Sequence, residues 1–124
     1  MHDNRAITAG YTYFGQFVDH DITFDPTSSV TRQNDPNKHR NFRTPRLDLD
    51  SVYCGGPEVS PAMYQRDDHG MFVIGKGASN VEDDLPRNPE GTAIIGDPRN
   101  DENIIISQLQ LAFLMLHNLS LIHI

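Results

Sequence analysis

The chain has 124 residues, of which 37% are apolar, with a formal net charge of −7 and a single cysteine; that length allows one domain at most. The acidic balance argues against a nucleic-acid partner, which would want a basic face, and the lone Cys54 excludes an internal disulfide. No run of 18 or more apolar residues is present, so no membrane span is expected.

Eight prolines and nine glycines predict long irregular connections, and the apolar-periodic stretches lie one near each terminus. The expectation is a mainly α fold with long irregular loops. Met1-His2-Asp3-Asn4-Arg5 leads straight into the first helical stretch with no apolar core of a signal peptide. There Ile7, Tyr11, Phe14, Phe17 and Val18 recur at helical spacing. The last two turns carry Gly15-Gln16-Phe17-Val18-Asp19-His20-Asp21. At about 100° per residue, Gln16, Asp19 and His20 share a face while Asp21 points roughly opposite to Asp19. One wall can then offer a proton-handling group to a ligand while the other faces a cation. Polar groups projecting from an apolar helix face are costly if unpaired, so a role is expected for them.

This heptad resembles the distal-histidine helix of the animal-type haem peroxidases (the peroxidase–cyclooxygenase superfamily), whose pattern is Gly-Gln-x-x-Asp-His-Asp. The flanking words Gly10-Tyr11-Thr12-Tyr13-Phe14 and Ile22-Thr23-Phe24-Asp25-Pro26 are similar to a bacterial branch. The resemblance runs through residues 8–118 and implies the distal part of the peroxidase helical fold, incomplete. It also implies haem as cofactor, hydrogen peroxide as substrate and a small-molecule electron donor. His20 takes the place of the catalytic base, Gln16 that of the residue holding a distal water or halide, and Asp19 that of one carboxylate ester-linked to haem.

Residues 25–43 are polar and read as a loop. In Thr44-Pro45-Arg46-Leu47-Asp48-Leu49-Asp50 the side-chain oxygens at 44, 48 and 50 share one parity, with the Arg46 carbonyl between them. In an extended segment these converge on one side, as calcium's hard oxygen ligands require; a polar strand edge explains the pattern as well. The resemblance implies a calcium loop here, with Thr44, the Arg46 carbonyl, Asp48 and Asp50 as ligands and Asp21 completing the set. Asp50 stands where the family has Ser, which adds a negative charge. The ion would pin the loop to the distal helix. After Val52-Tyr53 the family has Gly where this chain has Cys54; if that position needs positive φ, cysteine costs about 1 kcal/mol or more.

Within the polar stretch 55–92, Met71-Phe72-Val73-Ile74 between Gly70 and Gly75 predicts a strand. Gly75-Lys76-Gly77 lacks the context of a phosphate loop. His2, His39 and His69 lie in polar surroundings and are expected at the surface. Asp83-Asp84-Leu85-Pro86-Arg87-Asn88 again resembles the bacterial branch.

Gly96-Asp97-Pro98-Arg99-Asn100-Asp101-Glu102 precedes a run that is apolar nearly all round over residues 104–115, which predicts a buried helix. Asp97 suits the N-cap and Pro98 the first helical position. Arg99 and Glu102, three apart, are expected on one face. Read on spacing alone they form a local ion pair; at the mouth of a buried helix both are expected inside the domain. The resemblance places the family's catalytic arginine at Arg99 and its second ester-forming carboxylate at Glu102. Asn103 stands where some relatives carry the methionine of a sulfonium link, so that link is not expected. His117-Asn118 matches a family dipeptide and reads as packing.

Residues 119–124 read as the translation of a transposon-end sequencing adapter, so the expected division is 1–118 for the distal half of a peroxidase domain and 119–124 for a non-native tail. The proximal iron ligand is then expected downstream, and the chain alone is expected to be inactive. Two rivals are a fatty-acid dioxygenase of the same superfamily, which usually lacks the ester carboxylates, and a non-catalytic calcium-stabilised fragment.

Overall fold

A computed structural model describes residues 6–26, 40–67, 70–79 and 82–124. The described part is mainly α with few strands. Helix α1 spans Ala9–Ile22 and ends at Thr23, whose N–H and hydroxyl both bond the Asp19 carbonyl, at 2.9 and 2.8 Å. Its apolar stripe is buried only at Phe17, which stacks on Phe113 with centroids 4.9 Å apart. Ile7, Tyr11 and Phe14, on the preceding turns, are exposed. The chain returns to α1 at Asn41. That side chain donates to the Ile22 carbonyl and accepts from the N–H groups of Phe24 and Arg43.

Two one-turn helices follow, α2 (Asp50–Tyr53) and α3 (Gly56–Val59), then a 3₁₀ turn at Pro61–Met63. Strands β1 (Gly75–Lys76) and β2 (Asp83–Asp84) pair antiparallel, with Gly75 opposite Asp84. A second 3₁₀ turn, Pro98–Asp101, leads into α4, Ile104–Ile122. The core comprises Phe17, Val52, Met63, Tyr64, Phe72, Leu85, Ile106, Leu111 and Leu114, so α1, α2 and α4 close on the loop between them.

Three expectations change. The strand expected at 71–74 is a single bridge between Tyr64 and Phe72, and regular pairing begins only at Gly75. The cause is visible at Phe72: its N–H and carbonyl are bound by the Asn118 side-chain amide, at 2.7 and 2.9 Å, so helix α4 occupies the place of a neighbouring strand. Residues 44–50 are not extended. The N–H of Arg46 bonds the Thr44 carbonyl and that of Asp48 bonds the Arg46 carbonyl, successive three-residue turns that break the alternation of sides. Finally, α4 buries one face rather than its whole girth. Ile106, Ser107, Gln110, Leu111, Leu114 and Asn118 are inside, whereas Ile104, Ile105, Met115 and Leu116 are exposed.

By length and composition α4 is apolar enough to cross a membrane, although Ser107, Gln108 and Gln110 interrupt its apolar run; core helices meet the same criterion. It continues without a break through residues 119–122. The Asp97 N-cap is present, on a 3₁₀ turn rather than on the long helix, which Asn103 caps through Ile106 N–H at 3.1 Å. Gly96 is required where it stands, because a Cβ there would lie 2.6 Å from the Ser51 carbonyl oxygen. His117 packs edge-on against Tyr53 and Phe72. His2, His39 and His69, and residues 27–39 of the expected loop, lie outside the described residues.

Candidate functional site

The second half of α1 carries its polar residues outward and inward at once. Gln16 is half-buried, Asp19 exposed, and His20 and Asp21 buried. Gln16 Nε2 donates to Glu102 Oε1, and His20 Nε2 lies 3.5 Å from that same oxygen. Residues more than 80 positions apart in the chain therefore meet at the mouth of α4. Glu102, expected inside the domain, remains solvent-accessible, its side chain 48% exposed, because the face of α4 at its mouth finds no partner among the described residues. The expected face is divided: Gln16 and His20 meet Glu102, whereas Asp19 faces solvent.

Arg99 enters from the 3₁₀ turn. Its Nη2 donates to the carbonyls of His20, at 2.9 Å, and Thr23, and to Asp97 Oδ2 at 2.8 Å, while Nε bonds Asp97 Oδ1 at 3.0 Å. The guanidinium also lies over the Phe24 ring. It thus ties off the carbonyls left unpaired at the end of α1, the usual need of a helix C-terminus. Asp97 is fully buried and also receives Arg43 Nη2 at 2.9 Å. Burial alone would raise its pKa. The donors from Arg99 and Arg43, the Arg99 backbone N–H and the Arg99 charge outweigh it and hold the carboxyl below its ordinary value.

Asp21 points to the other wall of α1. It is fully buried, with Oδ1 accepting from Ser51 N–H and Oδ2 from Leu49 N–H, both at 2.9 Å. The segment expected to bind calcium is therefore held against α1 by direct bonds. Leu49 adopts the left-handed conformation, φ 63, to present its N–H. Thr44, Arg46 and Asp48 are exposed, and Asp50, half-buried, is the first residue of α2. Asp48 Oδ1 lies 3.4 Å from the Asp50 N–H. Among the described residues no group of three or more His, Cys, Asp or Glu side chains is gathered as a metal site.

Sequence reasoning passed over Asn100 and Gln110. Both are fully buried. Asn100 Oδ1 lies 2.8 Å from His20 Nδ1, and Asn100 Nδ2 donates to Gln110 Oε1 at 3.0 Å. The available signal was a glutamine inside an apolar helix, on the same face as Leu114. No protein-family model, curated protein or solved structure matches the chain.

Proposed function

We propose that the chain forms the distal side of an animal-type haem peroxidase, which reduces hydrogen peroxide and oxidises a halide or small organic donor. The observation that supports this reading most is the meeting of Gln16 and His20 with Glu102 across the fold. It joins the two segments whose motifs carry the resemblance. Asp19 and Glu102 would hold the haem. Both carboxylates are exposed, and the exposed side chains of Phe14, Ile104 and Ile105 supply apolar surface close to them in sequence, so an apolar macrocycle with carboxylate tethers suits the residues. Haem, when bound, would supply the redox chemistry that couples reduction of peroxide to oxidation of the donor.

The chain's own residues handle the proton. His20 accepts it from hydrogen peroxide through Nε2 and returns it to the departing oxygen, a positioned acid–base function that contributes roughly 10²–10⁴-fold. Gln16 holds a water or halide beside it. Arg99 would stabilise the charge developing on the departing oxygen; its guanidinium bonds the backbone carbonyl of His20 at 2.9 Å. On the other wall, Asp21 with Thr44, the Arg46 carbonyl, Asp48 and Asp50 would hold calcium in a structural role. The fit rests on Asp21: each oxygen takes one N–H and keeps a lone pair for an ion.

The test is a haemin titration followed by absorbance, with imidazole added in place of the proximal histidine that the resemblance puts downstream. Haem absorbance should shift on binding, and a phenolic donor should be oxidised only with peroxide and imidazole. His20→Gln should lower the peroxide step by about 10²-fold or more. Absence of any haem complex sinks the reading. Oxygenation of linoleate without peroxide-driven oxidation of the donor would favour the dioxygenase.

A further inference from the structure

We propose that Asn100 is the positioning residue for His20: its side-chain carbonyl holds the ring proton on Nδ1 and leaves Nε2, on the side of Glu102, as the acceptor. The contact is 2.8 Å long and lies between residues 5% and 0% exposed, away from water that would compete for it. A neutral imidazole has one donor nitrogen and one acceptor, so the partner of one nitrogen decides the role of the other. Asn100 has a direction because its Nδ2 donates to Gln110 Oε1 at 3.0 Å. Its Oδ1 is thereby turned to the ring, and a carbonyl can only accept.

The support beneath it is firm. Asn100 N–H bonds the Asp97 carbonyl at 3.0 Å, and the Asp97 carboxylate is held by Arg43 and Arg99. Arg99 also bonds the carbonyl of His20 itself. Ring and amide are therefore mounted on the same clamp. That the proton handled at Nε2 comes from peroxide rests on the haem-peroxidase reading; the position of the ring proton does not. The competing arrangement turns both amides round and puts the proton on Nε2, toward Glu102 Oε1 at 3.5 Å.

The experiment uses the 124-residue chain labelled with ¹⁵N at histidine, without haem, and records ring nitrogen–proton correlations of neutral His20; His20→Gln assigns the signals. Nδ1 should read as the protonated nitrogen and Nε2 as the one with the free lone pair. Asn100→Leu should replace this single tautomer by a mixture. Asn100→Asp should preserve it, since a carboxylate accepts, and Gln110 Nε2, buried without a partner among the described residues, can turn in as donor. A proton on Nε2 in the unmodified chain, an unchanged tautomer in Asn100→Leu, or its loss in Asn100→Asp each overturns the proposal. Should Asn100→Leu not fold, the other two spectra decide. A haemin titration of the same samples separates the two ideas. Intact tautomer behaviour without haem binding removes the peroxidase reading and keeps Asn100 in its role; haem binding with the wrong tautomer does the reverse.

Discussion

Cys54 occupies φ 51, ψ −129, where an L side chain is strained. Because Tyr53 closes α2 immediately before it, the chain must reverse there. Glycine, which has no Cβ to meet the backbone, reaches this region freely, so Cys54→Gly should stabilise the fold by about 1 kcal/mol in urea titration, offset in part by the freer unfolded chain. The strain was foreseeable from the resemblance, and the positive φ is what makes it real. Asp21 is the opposite case, a residue whose environment matches its chemistry. Asp21→Asn would turn one acceptor into a donor against Leu49 or Ser51 N–H. The expected loss is about 1.5–3 kcal/mol, the range for hydrogen bonds to a charged group, read as a lower urea midpoint at unchanged slope. Its place in the motif was legible in the sequence. Its partners were not, because they are backbone groups nearly 30 residues away that no side-chain pattern encodes.

Among elements, α4 departs most from its pattern. An apolar run cannot reveal which of its faces finds a partner, and here the polar members of the helix mark the buried side. Asn118 is 8% exposed and bonds both backbone groups of Phe72, while Gln110 backs Asn100. Asn118→Leu should leave the Phe72 N–H unpaired and cost about 1–3 kcal/mol. Hydrogen exchange of the Phe72 amide should accelerate more than that of the α1 amides, since α1 is held by Arg99 and Asn41 instead. An equal acceleration throughout would mean that Asn118 supports the whole fold rather than this junction. The expected strand fails for the same reason: four apolar residues announce burial, but a helix amide, not a strand, meets the backbone at Phe72.

At the scale of the whole molecule, buried charge decides behaviour in acid, and the proposed calcium site is tested by adding and removing the ion. Asp97 is held below its ordinary value of 3.8 in the folded chain. Its stabilising contribution is therefore complete above that pH and lost as pH falls toward the folded value, when Arg43 and Arg99 are left without their shared anion. Unfolding free energy followed through the acid range should fall below about pH 3.8, and Asp97→Asn should flatten that limb while lowering stability at neutral pH. Calcium should raise the melting temperature, and Asp48→Ala should abolish the shift without lowering the melting temperature measured in chelator, because Asp48 is exposed. A shift that survives this change would move the ion elsewhere.

The sequence by itself determined what short-range rules govern. The spacing of Phe14, Phe17 and Val18 makes α1 a helix, Asp97-Pro98 starts a turn, and prolines and glycines fill the connections. It also placed Gln16, His20 and Glu102 in the two segments that meet. Only the tertiary structure decided that Arg99 closes the end of α1, that Asp19 faces solvent while Asp21 holds the 44–51 segment, and that Asn100 stands behind the histidine ring. The reason is physical. Helix and turn preferences act over a few residues, whereas these contacts join groups up to 80 positions apart, and they are selected by which polar atoms the core leaves in need of a partner.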